Sequence, residues 1–158
     1  MKEIKVPKRM VFVDVDGVLS APIFVGYGIG MSEEDWLTYC LINKDTSYDN
    51  CQAVPCVSKY LSEASKEAYL YVLTAVGSSF EADAKRKFIA EKYPEIRFDG
   101  FIAVARAEDK VPVILTMARD KTFSPTACEL IEDDYGTLIR ASKHGVKATH
   151  IANIAAEY

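Results

Sequence analysis

The feature that most constrains this chain is an alternation of two kinds of segment. Short runs of β-branched and aromatic residues recur at Met10–Val15 (MVFVDV), Ala68–Thr74 (AYLYVLT), Phe101–Val104, Ala127–Ile131 and Val146–Ile151. Each has the length and composition of a buried strand. Between them lie segments with helical spacing, over Ser58–Glu67, from Ser78 to about Lys92, from Pro112 to about Ala118, and over Tyr135–His144. Ser78-x-x-Glu81 is a capping box, Pro94 stops the helix it opens, and Gly145 follows the last helix. Strands that alternate with helices specify the α/β class, here a Rossmann-like three-layer sandwich around a mostly parallel five-stranded sheet. At 158 residues the expectation is one domain spanning residues 1–158.

Residues 20–57 break the rhythm. Ser20–Gly30 (SAPIFVGYGIG) mixes glycines with bulky apolar residues and suggests a hairpin or flap. Its glycines lack the GxGxxG spacing and do not join a strand to a helix, so a dinucleotide loop is disfavoured. Ser32-x-x-Asp35 caps a helix with Trp36, Leu37, Cys40 and Leu41 on one face, and Asn43–Pro55 is turn-rich. Phe24, Tyr27 and Trp36 are candidates either for substrate contact or for the core.

Composition excludes several function classes. The net charge of −4 gives no electrostatic footprint for nucleic acid or anionic lipid. No apolar run approaches the ~20 residues needed to cross a bilayer, and the first ten residues lack a signal-peptide core, so a cytoplasmic location is expected. Cys40, Cys51, Cys56 and Cys128 form no zinc-like spacing and read as buried thiols. His144 and His150 read as a helix-end cation and a strand residue.

Ligands of parallel α/β sheets gather at the carboxyl ends of the strands. The first predicted strand runs into Asp14-Val15-Asp16-Gly17, and a continuing strand would point Asp14 and Asp16 the same way. The second ends in Thr74, followed by Ala75-Val76-Gly77-Ser78 at a helix start, where backbone N–H groups suit an anion. Lys110 follows the third, and Glu132-Asp133-Asp134 the fourth. Carboxylates, a hydroxyl, an ammonium and carboxylates, in that order, suit a phosphoryl group with Mg²⁺. That ion takes hard oxygen ligands, while the hydroxyl and ammonium neutralise phosphate oxygens.

These residues resemble the motifs of the haloacid dehalogenase superfamily of aspartate-nucleophile phosphatases. MVFVDVDGVLS resembles the first motif, YVLTAVGS the second, KVPVIL the third and ELIEDD the fourth, and the likeness runs from residue 10 to about 151. It implies Asp14 as nucleophile and Asp16 as general acid/base, with the Asp16 carbonyl also touching Mg²⁺. It implies Thr74, Ala75 and Lys110 around the phosphate, Lys110 also orienting Asp14, and Asp133 as the second carboxylate on the metal. Asp134 or Glu132 would act in support, and the register of the acidic triplet is open by one residue. The insertion is too small for a full cap, so the fold expected has a minimal cap or none.

The resulting expectation is a Mg²⁺-dependent hydrolase of a small phosphorylated metabolite, such as a nucleotide or sugar phosphate. Such a site closes either by assembly as a homo-oligomer or over a macromolecular substrate. Two readings compete with it: a phospho-acceptor signalling module, and a phosphate-binding protein that has lost turnover. The first needs an aspartate on the middle strand, where this chain has Ala103-Val104-Ala105.

Overall fold

The computed structural model describes residues 6–22 and 32–158. The Gly26–Gly30 stretch, with Phe24 and Tyr27, lies outside the described residues. Five strands form one sheet: β1 (Arg9–Val13), β4 (Ala68–Ala75), β5 (Gly100–Val104), β6 (Cys128–Glu132) and β7 (Lys147–His150). Their order is β5-β4-β1-β6-β7, and every neighbouring pair is parallel. The remaining two strands, β2 (Ser20–Pro22) and β3 (Cys51–Ala53), form a separate antiparallel ladder.

The strands bury both faces, with a two-residue period. Val11, Val13, Leu70, Val72 and Ile131 pack with α2 (Pro55–Ala64), α3 (Ser79–Lys92) and α6 (Ile151–Glu157). Met10, Phe12, Leu73, Cys128 and Leu130 pack with α4 (Lys110–Asp120) and α5 (Tyr135–Lys143). The sheet is therefore the middle of three layers, and its five-stranded parallel arrangement is the one the sequence pattern specifies. No helix among the described residues is long and apolar enough to cross a membrane.

Local chemistry explains the helix boundaries. Ser78 accepts a hydrogen bond from the Glu81 N–H to start α3, and Ser32 accepts from the Asp35 N–H to start α1 (Glu33–Asn43). Pro55 stands in the first turn of α2, where its missing N–H costs nothing, so this helix starts and ends about three residues before the Ser58–Glu67 expectation. The short helix α6 follows β7 directly, capped by the His150 ring, and was not expected. Ser20–Pro22 pairs with Cys51–Ala53, inside the stretch expected to be turn-rich. A single 3₁₀ turn at Lys44–Thr46 precedes β3.

One buried carboxylate lies at the amino end of the sheet. Glu129 on β6 accepts from Tyr60 (2.7 Å) and Thr149 (2.6 Å) and pairs with Arg9 (2.6 Å) and Lys147 (3.3 Å). Burial pushes its pKa up, but these hydrogen bonds and cations outweigh burial and hold it below the ordinary value. The cysteines are all free.

Candidate active site

The site is built at the carboxyl end of the three central strands. On β1 the side chains of Met10 and Phe12 face α4 and α5, and Asp14 keeps that parity. Although β1 ends at Val13, the Asp14 N–H still donates to the Ile131 carbonyl at 3.1 Å, which extends the ladder by one residue. Asp14 is 7% exposed and its Oδ1 lies 3.1 Å from Lys110 Nζ, at the start of α4. On β6 the same parity carries Leu130 and then Glu132 to that side, and Glu132 Oε2 lies 2.6 Å from the same ammonium. Lys110 thus stands between two buried carboxylates.

This crowding sets the protonation. Burial is the largest influence on Asp14 and pushes its carboxyl up to about 6, with Lys110 pulling down and Glu132 pushing up. Burial disfavours the Lys110 ammonium, but Asp14 and Glu132 outweigh it and raise its pKa. Asp133 is raised as well, chiefly by burial.

After Asp14 the chain turns sharply. Gly17 has φ +73°, and the Val18 and Ser20 N–H groups both donate to the Val15 carbonyl. The turn overturns the expectation that Asp14 and Asp16 point the same way, because the strand does not continue. Asp14 meets Lys110 of α4, whereas the half-exposed Asp16 pairs at 2.8 Å with Lys85 of α3, on the other layer.

The acidic triplet divides its work. Glu132 Oε1 accepts from the Asp133 N–H (3.0 Å) and the Asp134 N–H (3.3 Å), while its other oxygen holds Lys110. Asp134 caps α5, accepting from the Thr137 N–H (2.7 Å) and hydroxyl (2.6 Å), which lowers its pKa. The Asp133 carboxylate instead lies against the turn, so close that a Cβ built on Gly17 would stand 2.2 Å from its Oδ2. Carboxylate oxygens of Asp14, Glu132 and Asp133 lie within 4.8 Å of one another. Of these three, Glu132 is already fully engaged, so Asp14 and Asp133 are the pair with hard oxygens to offer a cation such as Mg²⁺.

The second expected motif differs in detail. Thr74 is fully buried, on the side of β4 that faces α3, and its Oγ1 accepts from Lys85 Nζ at 2.9 Å. The Ala75 carbonyl accepts from the same ammonium at 2.8 Å. Two N–H groups expected to face an anion are engaged: Val76 donates to the Val104 carbonyl (2.9 Å) and Gly77 to Glu81 Oε2 (2.8 Å).

Lys85 and Tyr48 stand outside the sequence expectations, in which Glu81 figures only as a helix cap. Lys85 is 0% exposed and Glu81 4%. The signal was present, since Glu81, Ala84, Lys85 and Phe88 share one buried stripe of α3, which puts an oppositely charged pair on its apolar face. The Tyr48 hydroxyl donates to Asp16 Oδ1, and both burial and that carboxylate raise its pKa. Trp36 packs against the core and donates its Nε1–H to Glu81 at 3.2 Å. His150 stands at the site's edge as the α6 cap. Its Nδ1 accepts from the Ala152 N–H (3.0 Å), leaving Nε2 to donate to the Asp133 carbonyl (3.2 Å).

No protein-family model and no curated protein sequence matches the chain. Solved structures do match its fold. A haloacid dehalogenase-like family hydrolase from Streptococcus pneumoniae aligns with a TM-score of 0.56 at 16% identity, over 94% of this chain and 90% of that one. A magnesium complex of a haloacid dehalogenase family enzyme from Bacteroides thetaiotaomicron aligns with a TM-score of 0.56 at 11% identity, over 88% and 90%. The D,D-heptose 1,7-bisphosphate phosphatase of Burkholderia thailandensis aligns with a TM-score of 0.53 at 12% identity, over 88% and 75%. What these likenesses establish is a shared fold: the chain is built like proteins described as haloacid dehalogenase-like.

Proposed function

We propose that the chain is a Mg²⁺-dependent phosphatase of the haloacid dehalogenase superfamily, which hydrolyses a small phosphomonoester through an aspartyl-phosphate on Asp14. The observation that carries this reading is the convergence of Asp14 and Asp133, at adjacent strand ends, with Lys110 at the start of α4. A buried carboxylate beside an ammonium, with a second carboxylate within a metal's reach, suits in-line attack on phosphorus.

In this reading Asp14 and Asp133, with the Asp16 carbonyl, would hold Mg²⁺, which would screen the repulsion between carboxylate and phosphate. Lys110 orients Asp14 through one carboxylate oxygen, and Glu132 holds the same ammonium. Asp14 attacks phosphorus and Asp16 gives a proton to the departing oxygen. Asp16 then takes a proton from the water that cleaves the aspartyl-phosphate. The Thr74 hydroxyl donates to a phosphate oxygen, since its lone pair already faces Lys85. Lys110 adds positive charge at the same end of the sheet.

The substrate class is a phosphorylated metabolite, with sugar phosphates and nucleotides as the first candidates. One neighbour of like fold is a heptose bisphosphate phosphatase, which supports the sugar branch.

Phosphate release from a panel of phosphomonoesters, with and without Mg²⁺, tests the proposal. Sustained Mg²⁺-dependent release is expected, and Asp14→Asn should abolish it without changing the melting temperature by more than a few degrees. One stoichiometric phosphorylation without release would favour a signalling module. No reaction, with phosphate still bound, would favour a binding protein.

A further inference from the structure

We propose that Lys85 and Tyr48 are positioning residues that fix both carboxylate oxygens of Asp16, and so set the rate at which the aspartyl-phosphate is cleaved. The inference rests on the phosphatase reading above and adds to it two residues that the motif resemblance does not supply.

Lys85 Nζ lies within hydrogen-bond distance of four oxygens: Thr74 Oγ1 (2.9 Å), the Ala75 carbonyl (2.8 Å), Asp16 Oδ2 (2.8 Å) and Glu81 Oε1 (3.1 Å). An ammonium has three hydrogens, all engaged here with protein atoms. With its hydrogens thus engaged, Lys85 is not a phosphate ligand. It ties together the turn after β1, the end of β4 and the first turns of α3.

Glu81 alone would neutralise Lys85. Asp16, half-exposed, could extend into water at little cost, yet both of its oxygens are held: Oδ2 by Lys85 and Oδ1 by the Tyr48 hydroxyl. Tyr48 belongs to the excursion between β2 and β3. Its ring is 2% exposed and packs edge-on against Trp36 (5.7 Å) and at a tilt against Phe88 (5.9 Å). A ring held on two sides gives its hydroxyl a fixed direction. Through Tyr48, the segment between β2 and β3 thus reaches Asp16 directly.

The step concerned is hydrolysis of the intermediate. Water oxygen attacks phosphorus, the bond from phosphorus to the Asp14 oxygen breaks with its electron pair returning to the carboxylate, and the water proton passes to Asp16. A base aimed at that water accelerates the step, and a base free to rotate accelerates it less.

The test uses para-nitrophenyl phosphate with Mg²⁺, whose leaving group departs without a proton, so that phosphorylation of Asp14 places little demand on Asp16. Tyr48→Phe keeps the ring and removes only the hydroxyl. Lys85→Met is made together with Glu81→Gln, so that no buried charge is left alone. Acid quenching at steady state followed by intact-mass measurement gives the phosphorylated fraction. That fraction should rise several-fold in both variants, while kcat falls about ten-fold and KM falls with it. A purely structural role would reduce folded protein without shifting this partition. A parent that turns over through the phospho-enzyme, with folded variants that partition as it does, overturns the inference alone. A parent that neither releases phosphate nor gains the phosphoryl mass overturns the phosphatase reading, and this inference with it.

Discussion

Gly17 and Asp133 are in contact across two strand ends that lie well over a hundred residues apart in sequence. A methyl group on Gly17 would stand 2.2 Å from Asp133 Oδ2, and Gly17 itself has φ +73°. Gly17→Ala therefore meets two obstacles, a left-handed backbone and a collision with the carboxylate. Stability should fall by about 1–2 kcal/mol, and activity should fall more than ten-fold because Asp133 is displaced. Thermal unfolding and steady-state kinetics on one preparation check both.

Glu132→Gln tests the ion triad. The amide can still accept from the Asp133 and Asp134 N–H groups, but Lys110 then has only Asp14 as a charged partner. Losing a hydrogen bond to a charged group should cost about 2 kcal/mol. Lys110 should move toward Asp14 and slow its attack, so that kcat drops while KM changes little. Unchanged kcat would show that Lys110 needs no second anchor.

Metal removal separates Asp133 from Asp134. Ligand binding to the folded state raises the melting temperature, so Mg²⁺ should stabilise the parent and EDTA should reverse the effect. Asp133→Asn should remove most of this shift. Asp134→Ala should keep it while losing about 1 kcal/mol of helix capping, because Asp134 is engaged with Thr137. The opposite pattern would move the metal ligand one residue along.

Glu129, at the amino end of the sheet, should govern a pH effect on stability away from the candidate site. Its folded pKa lies below the ordinary 4.5, so its contribution is present above that value and is lost as pH falls through the lower folded value. The parent should lose melting temperature steeply in this acid range. Glu129→Gln should be less stable at neutral pH by about 3 kcal/mol, since Arg9 and Lys147 lose their shared anion. The variant's acid slope should be shallower, as a series of thermal melts from pH 3 to 7 would record.

Much of the fold was legible because its signals are local. Five apolar runs and two capping boxes locate most strands and helices, and the carboxyl-end rule places Asp14, Thr74, Lys110 and Asp133 at one rim. What was not legible depended on approach in three dimensions. The turn at Gly17 sends Asp14 and Asp16 to opposite layers, and strand alternation cannot foresee a strand that stops. Glu81 occupies the Gly77 N–H, which a reading of the helix start left open for an anion. Tyr48 lies in a turn-rich stretch without periodicity, so nothing local marks it as a partner of Asp16.

The central position of β1 has a consequence for biosynthesis. Its Met10 pairs with Tyr69 on one side and with Cys128 on the other. At translation speeds of about 5–20 residues per second, the second neighbour is made roughly 6–24 seconds after β1. For that interval a sticky hydrophobic ribbon carrying Asp14 at its tip has an open flank on the ribosome. Apolar surface left open in this way promotes aggregation, so soluble yield should fall with rising expression rate more than the final stability suggests.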